Sequence, residues 1–210
     1  MSTVTQVREF RGVAHVSFDD APPLKVRMRH FRKLPLGVGD EVDAQEYIER
    51  VAAAQLGDAY EAALSSLDLC ARTRRELERS LLARGYVAPA VEAALERLER
   101  TGLVDDLRYA HRAVEAGADR AVGVYAMRRK LRAKGVPDED AEAALGALDD
   151  AQQAEAAKKA ALSLARRYAS LPAREGRAKL SQALARRGFS WDAVREAVDA
   201  VLAQDEWEDV

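Results

Sequence analysis

The chain has 210 residues, 48% of them hydrophobic and 32% charged, which is enough for one or two domains with sizeable cores. Its 33 basic and 35 acidic residues give a formal net charge of -2, which argues against a protein that simply coats DNA. The single cysteine, Cys70, excludes a disulfide framework and fits a reducing, cytoplasmic compartment.

The opening MSTVTQVREFRG lacks the basic start and apolar run of a secretion signal, and no apolar stretch in the chain is long enough for a membrane span. REFRGVAHVSF then places Phe10, Val13, Val16 and Phe18 in rough alternation. After the turn-forming DDAPP, LKVRMRHF alternates Leu24, Val26 and Met28 with Lys25, Arg27 and Arg29. This predicts a β-hairpin. Pro35, Gly37 and Gly39 predict a loop, and Asp43 caps a short helix carrying Tyr47, Ile48 and Val51. Residues 1–57 therefore read as a small hairpin-like cap that packs on the helical body, because a lone hairpin is marginal in water.

From Gly57 onward the pattern is helical, and it repeats. LLARGY, LRAKGV and LARRGF align on Gly85, Gly135 and Gly188. Leu77, Met127 and Leu180 lie eight residues before these glycines, and Leu81, Leu131 and Leu184 lie four before. Behind them Tyr86, Val136 and Phe189 correspond, then Val91, Ala141 and Val194, then Leu95, Leu145 and Val198, and finally Leu98, Leu148 and Val201. Apolar residues at helical spacing recurring about every fifty residues predict a mainly all-α chain of tandem three-helix repeats, an elongated and curved array. The repeats are expected over residues 58–104, 105–148 and 149–203, with an acidic tail at 204–210. The expected helices are 58–71, 73–84 and 88–100, then 105–117, 120–134 and 137–147, then 149–169, 174–187 and 191–203.

Each repeated glycine is expected at a left-handed helix C-cap, with the next apolar residue folding back on the helix. Thr73 and Ser190 are expected N-caps, and Pro137 suits a first turn. Asp105 and Asp106 read as N-terminal caps of the next helix rather than as metal ligands, because two adjacent aspartates make a poor cage. Cys70 reads as a small buried hydrophobe near a helix end. Trp191 and Trp207 read as packing residues, with a frayed tail the other option for Trp207.

Signals of chemistry are lacking. The chain has no phosphate-binding glycine loop, no nucleophile elbow and no spaced metal ligands among His15, His30 and His111. The expectation is no catalytic residue, no cofactor and no metal. The charge pattern is more informative, because the second helix of each repeat is basic. Repeat one offers Arg72, Arg74, Arg75, Arg79 and Arg84. Repeat two offers Arg120, Arg128, Arg129, Lys130, Arg132 and Lys134. Repeat three offers Lys158, Lys159, Arg166, Arg167, Arg174, Arg177, Lys179, Arg186 and Arg187, a span with Glu175 as its one acid. If equivalent helices stack, these residues form a stripe suited to a phosphate backbone or an acidic protein groove; the alternative is pairing with nearby acids. Tyr125, Tyr168 and Phe189 are candidates to stack on bases, with Phe189 better placed as a cap or core residue.

RRELERSLLARGY, GLVDDLRYAHRAV and LARRGF, in this order and spacing, together resemble the RecX family of bacterial recombination regulators. Arg72-Thr73-Arg74-Arg75-Glu76-Leu77 is similar to the segment that opens the second helix of the family's first repeat, with Thr73 where serine is common. Leu103-Val104-Asp105-Asp106-Leu107-Arg108-Tyr109-Ala110 is similar to its Asp-Asp segment, with Val104 beside the acidic pair. The resemblance implies a non-enzymatic modulator of the RecA recombinase that sits along the RecA–DNA filament, with single- or double-stranded DNA as a further partner. It implies no catalytic residues to carry over. The alternatives are an architectural nucleic-acid-binding protein and a helical scaffold for another protein. A monomer is expected.

Overall fold

The computed structural model describes residues 1–204. The chain divides into two units, Met1–Asp105 and a second from Asp106 onward.

The first unit opens with β1 (Ser2–Phe10), β2 (Val13–Phe18) and β3 (Leu24–Arg27), followed by a single turn of helix, α1 (Met28–Phe31), and the short β4 (Glu41–Val42). The four strands form one antiparallel sheet in the order β3-β2-β1-β4. β1 and β2 are joined by two residues, Arg11 and Gly12, both at positive φ (51° and 75°), as a tight hairpin turn with the right twist requires. The sheet is larger than the expected hairpin. β1 escapes the alternation rule because its register shifts between Val4 and Gln6, so its inward residues Val4 and Val7 stand three apart. The strand expected through Phe31 ends at Arg27, where His30 and Phe31 turn into the core.

The inner face of the sheet (Val4, Ala14, Val16, Phe18 and Val26) packs with Phe31, Tyr47 and Val51. Tyr47 and Val51 lie on α2 (Ala44–Leu69), capped as expected by Asp43, whose carboxylate accepts from the Gln45 and Glu46 N–H groups at 2.9 and 3.1 Å. The sequence places a boundary at Gly57, but α2 runs straight through it. A mid-helix glycine costs about 1 kcal/mol relative to alanine. The buried residues on both sides of Gly57 offset that: Val51 and Ala52 under the sheet, Ala59, Ala62 and Ala63 against the first repeat. Cys70, just past α2, is exposed rather than buried, because the backbone there is extended (φ -168°, ψ 155°) and leads away from the helix end.

The first repeat continues with α3 (Arg74–Ala83) and α4 (Ala88–Arg100), which bury Leu77, Leu81, Tyr86, Leu95 and Leu98 with the second half of α2. Each buried aliphatic side chain contributes about 1.5–3 kcal/mol. Thr73 closes a capping box: its hydroxyl accepts from the Glu76 N–H at 3.2 Å, and the Glu76 carboxylate accepts from the Thr73 N–H at 3.3 Å.

The second unit holds α5 (Asp106–Asp119), α6 (Val124–Lys134), α7 (Asp138–Gly146), α8 (Asp150–Tyr168), α9 (Ala173–Arg186) and α10 (Trp191–Gln204). Its two cores contain the expected repeat positions: Met127, Leu131, Val136, Ala141 and Leu145 in one, Leu180, Leu184, Phe189, Val194, Val198 and Val201 in the other. Leu148 is only partly buried against its core. α8 presents a stripe of alanines, Ala156, Ala157, Ala160, Ala161 and Ala165, to the second core. Small side chains at helical spacing let its neighbours approach closely. α6 starts at Val124 rather than at residue 120, because Ala121 adopts a left-handed conformation (φ 52°) and ends α5, with the Val122 N–H returning to the Gly117 carbonyl at 3.0 Å. Pro137 precedes α7 rather than forming its first turn. Ser190 accepts from the Ala193 N–H at 3.2 Å. Trp191 opens α10 and is 70% exposed, so it packs little; Trp207 and the acidic tail from residue 205 lie outside the described residues.

The three glycines behave alike. Gly85, Gly135 and Gly188 have φ of 82°, 80° and 87°. The N–H of the following residue returns to the carbonyl of the last core leucine: Tyr86 to Leu81 at 3.2 Å, Val136 to Leu131 at 3.1 Å, Phe189 to Leu184 at 3.4 Å. This is the Schellman arrangement, and the residue that closes it is buried in all three repeats.

Candidate functional site

Each repeat ties its second helix to its third by an arginine–carboxylate contact. In repeat one Arg74 reaches Glu92 at 2.5 Å and Glu99 at 2.9 Å. In repeat two Arg128 grips Glu142 with two bonds of 2.6 and 2.7 Å, and its guanidinium lies 5.8 Å from the Tyr125 ring centroid. In repeat three Arg177 meets Asp199. Burial pulls the Arg74 pKa down, but the combined charges of Glu99 and Glu92 outweigh it, so the group is held above its ordinary value. The hydrogen bond to Glu142 raises Arg128, and the same bond lowers Glu142. For these arginines intramolecular pairing, the alternative reading of the sequence, is what the structure contains.

Other members of the basic set are also engaged. Arg75 pairs with Glu78 at 2.8 Å, Arg132 with Asp138 at 3.1 Å, Lys179 with Glu175 at 2.8 Å and Lys158 with Glu196 at 3.7 Å. Lys159 donates to the Asp119 carbonyl at 3.2 Å. Lys134 ends α6, half-buried. Arg72 is half-buried just before α3, and its Nε is buried without a hydrogen-bond partner among the described residues. Arg187 is half-buried, and its carbonyl accepts from the Gly123 N–H at 3.0 Å.

A smaller set remains. Arg79 on α3, Arg129 and Lys130 on α6, Arg166 and Arg167 on α8, and Arg174 and Arg186 on α9 are exposed. They have no ion pair among the described residues. At about 100° per residue, Arg129 stands on the side of α6 away from the buried Met127 and Leu131. On α9, Arg174 and Arg186 are about 120° apart around the helix, so they do not share one face. Tyr125 is 56% exposed beside the α6 cations, while Phe189 is core and Tyr168 packs on it. Asp105 stands immediately before α5 and Asp106 is its first residue. Among the described residues no group of three His, Cys, Asp or Glu side chains is placed to hold a metal, and no helix is long and apolar enough to cross a membrane.

Three family models match consecutive segments: the first three-helix domain of RecX over residues 59–98, the second over 105–145 and the third over 150–198. The chain belongs to the RecX family. RecX relatives are similar over most of it. The regulatory protein RecX of Limosilactobacillus reuteri (strain DSM 20016) is 32% identical over 171 residues, 81% of this chain and 65% of that protein, so the chain spans about two thirds of that relative's length. The RecX of Prosthecochloris aestuarii is 33% identical over 67% of this chain and 91% of its own. The crystal structure of a regulatory protein RecX matches with a TM-score of 0.66 and 28% identity, covering 95% of this chain and all of that one. That of RecX from Lactobacillus salivarius matches with a TM-score of 0.66 and 29% identity, covering 71% and 97%.

Three features of this RecX chain gave no clear sequence signal. Gln55 is fully buried in α2, donating to the Gly85 carbonyl at 3.0 Å and accepting from the Val87 N–H at 2.7 Å. An uncharged polar residue on the buried side of an alanine-rich helix is the only hint. Gly123 abuts Gly188 backbone to backbone: a Cβ on it would lie 2.2 Å from the Gly188 carbonyl carbon. The third is a basic cluster on the sheet: the alternation of Lys25 and Arg27 with apolar residues marked a strand but not the cluster.

Proposed function

We propose that this chain is a non-enzymatic regulator of the RecA recombinase filament on DNA, acting in the cytoplasm as a monomer and limiting recombinase ATPase, strand exchange and co-protease activity. The reading rests on family membership, and the observation that carries it at the residue level is the set of exposed cations left unpaired on the repeat helices. We take residues 58–104, 105–148 and 149–203 as the working repeats and 1–57 as the cap. Arg79, Arg129, Lys130, Arg166, Arg167, Arg174 and Arg186 offer charge to an acidic groove or a phosphate backbone, while Arg74, Arg128 and Arg177 hold the helices together. Contacts spread over several repeats let one chain bridge neighbouring recombinase subunits and resist their rearrangement. No catalytic group, cofactor or metal enters this mechanism.

The test replaces Arg129 and Lys130 with alanine, and Arg128 separately. Exposed ion pairs are worth about 0.2–1 kcal/mol each, so losing two raises the concentration needed to inhibit recombinase ATPase roughly 2- to 30-fold. Arg128→Ala acts first on stability, because it breaks a contact within repeat two. Filament length on single-stranded DNA is followed alongside. Inhibition by the Arg129→Ala/Lys130→Ala chain equal to that of the parent removes α6 from the surface.

A further inference from the structure

The outer face of the N-terminal sheet carries a cluster of cations, joined at one end by Arg84 of the first repeat. Strand alternation places Arg8, His15 and Lys25 opposite one another across β1, β2 and β3, and Phe10, Val13 and Arg27 in the next row. Ala14, Val16 and Val26 point the other way, into the core, and Glu9, paired with Ala14, shares their face. The Arg11–Gly12 turn overhangs one end of the outer face. At the same end the C-cap of α3 is stitched to β3, because the Arg27 N–H donates to the Gly85 carbonyl at 2.7 Å, and this brings Arg84 alongside.

The result is a groove of about 510 Å³ lined by Phe10, Arg11, His15, Lys25, Arg27 and Arg84 with small neighbours, and no carboxylate lines it. Arg8, Arg11, Lys25 and Arg84 have no ion pair among the described residues. Arg27 is aimed by a neutral partner: it donates to the Tyr86 hydroxyl at 2.9 Å and lies 5.4 Å from that ring's centroid, so its charge stays uncompensated. Phe10 is 60% exposed, with the Arg11 guanidinium 5.0 Å from its ring centroid. Arg11 holds a left-handed backbone that costs a side-chain-bearing residue about 1–2 kcal/mol.

We propose that this groove binds single-stranded nucleic acid, with phosphates on Lys25, Arg27, Arg84 and Arg11 and an unpaired base stacked on Phe10. The cations select a polyanion. The exposed ring selects among polyanions: an unpaired base has a free face to stack, whereas duplex bases are already stacked and acidic peptide carboxylates offer no ring.

The experiment uses the full chain without recombinase and follows binding of a labelled oligothymidylate by fluorescence anisotropy across a salt series. Phe10→Ala, at an exposed position, weakens binding about 5- to 160-fold. Lys25→Ala/Arg84→Ala lowers the slope of log affinity against log salt by about 1.4, at about 0.7 per phosphate contact on a single strand. Circular dichroism melts confirm folding, and the two variants test the groove independently. Three results overturn the proposal: no oligonucleotide binding by the parent at low salt, parent-like binding by both variants, or displacement by polyglutamate as effective as by unlabelled oligonucleotide. The assay omits recombinase, so its outcome is read separately from that of the filament test.

Discussion

Replacing Gly188 with alanine tests the contact that joins the second and third repeats. Gly188 is left-handed at φ 87°, and an added Cβ would lie 2.3 Å from the Ala126 nitrogen and 2.5 Å from the Ala126 Cβ. The obstacle is mainly backbone, so no side-chain rotation relieves it. The first turn of α6 must retreat, and two hydrogen bonds go with it: Gly123 N–H to the Arg187 carbonyl and Tyr125 N–H to the Gly188 carbonyl, both 3.0 Å. Left-handed strain costs about 1–2 kcal/mol, overpacking about 1–3 and each lost bond about 0.5–1.5, a total of roughly 3–5 kcal/mol after partial relaxation. Gly102 is the control: it is also left-handed (φ 68°), but a Cβ there meets nothing within 4 Å. Gly102→Ala should cost only the strain, about 1–2 kcal/mol. At about 2–4 °C per kcal/mol for a chain of this size, thermal unfolding by circular dichroism should shift by roughly 2–8 °C for Gly102→Ala and 6–20 °C for Gly188→Ala. Equal shifts would refute the claim that this backbone contact fastens the two repeats.

Two further outcomes concern buried polar groups in the first unit. Gln55→Leu leaves the Gly85 carbonyl with its bond from Arg27 but strips the Val87 N–H of its partner, so urea unfolding should show a loss of about 1–3 kcal/mol. His30 is 1% exposed; its Nε2 lies 2.7 Å from the Asp58 carboxylate, and its Nδ1 has no partner among the described residues. Burial, the largest influence, lowers its pKa below 6.5 against the opposing pull of Asp58. The folded state therefore binds fewer protons than the unfolded one, and the His30 contribution is fully present above about pH 6.5 and declines as the pH falls through that value. Urea midpoints should drop between pH 7 and pH 5 in the parent and drop less in His30→Gln; parallel profiles would contradict the assignment.

What could be read from the sequence was local. Leu77 and Leu81, Met127 and Leu131, and Leu180 and Leu184 are single-turn pairs, and each cap glycine with its apolar follower lies within one turn of its helix, so spacing alone revealed both. β1 stayed hidden because a register shift breaks its alternation. The short β4 was hidden because its pairing partner is Ser2 and Thr3 at the other end of the cap. The candidate contact surface was overdrawn for a related reason. Composition marked every arginine on the second helices, but whether Arg74 faces Glu92, or Arg128 faces Glu142, depends on how two helices cross. Arg79 and Arg129 are more exposed and have no ion pair among the described residues.

The unbroken course of α2 through Gly57 has a bearing on how this chain can be dissected. At about 1.5 Å per residue, its 26 residues form a rod of roughly 39 Å whose front half supports the strands and whose back half is the opening helix of the first repeat. A deletion made where the composition changes would cut that rod in the middle and bare the undersides of two cores at once. The amino-terminal strands and the first repeat should therefore melt together, and a shortened chain that lacks both would report more faithfully on the remaining repeats than one trimmed at the apparent border.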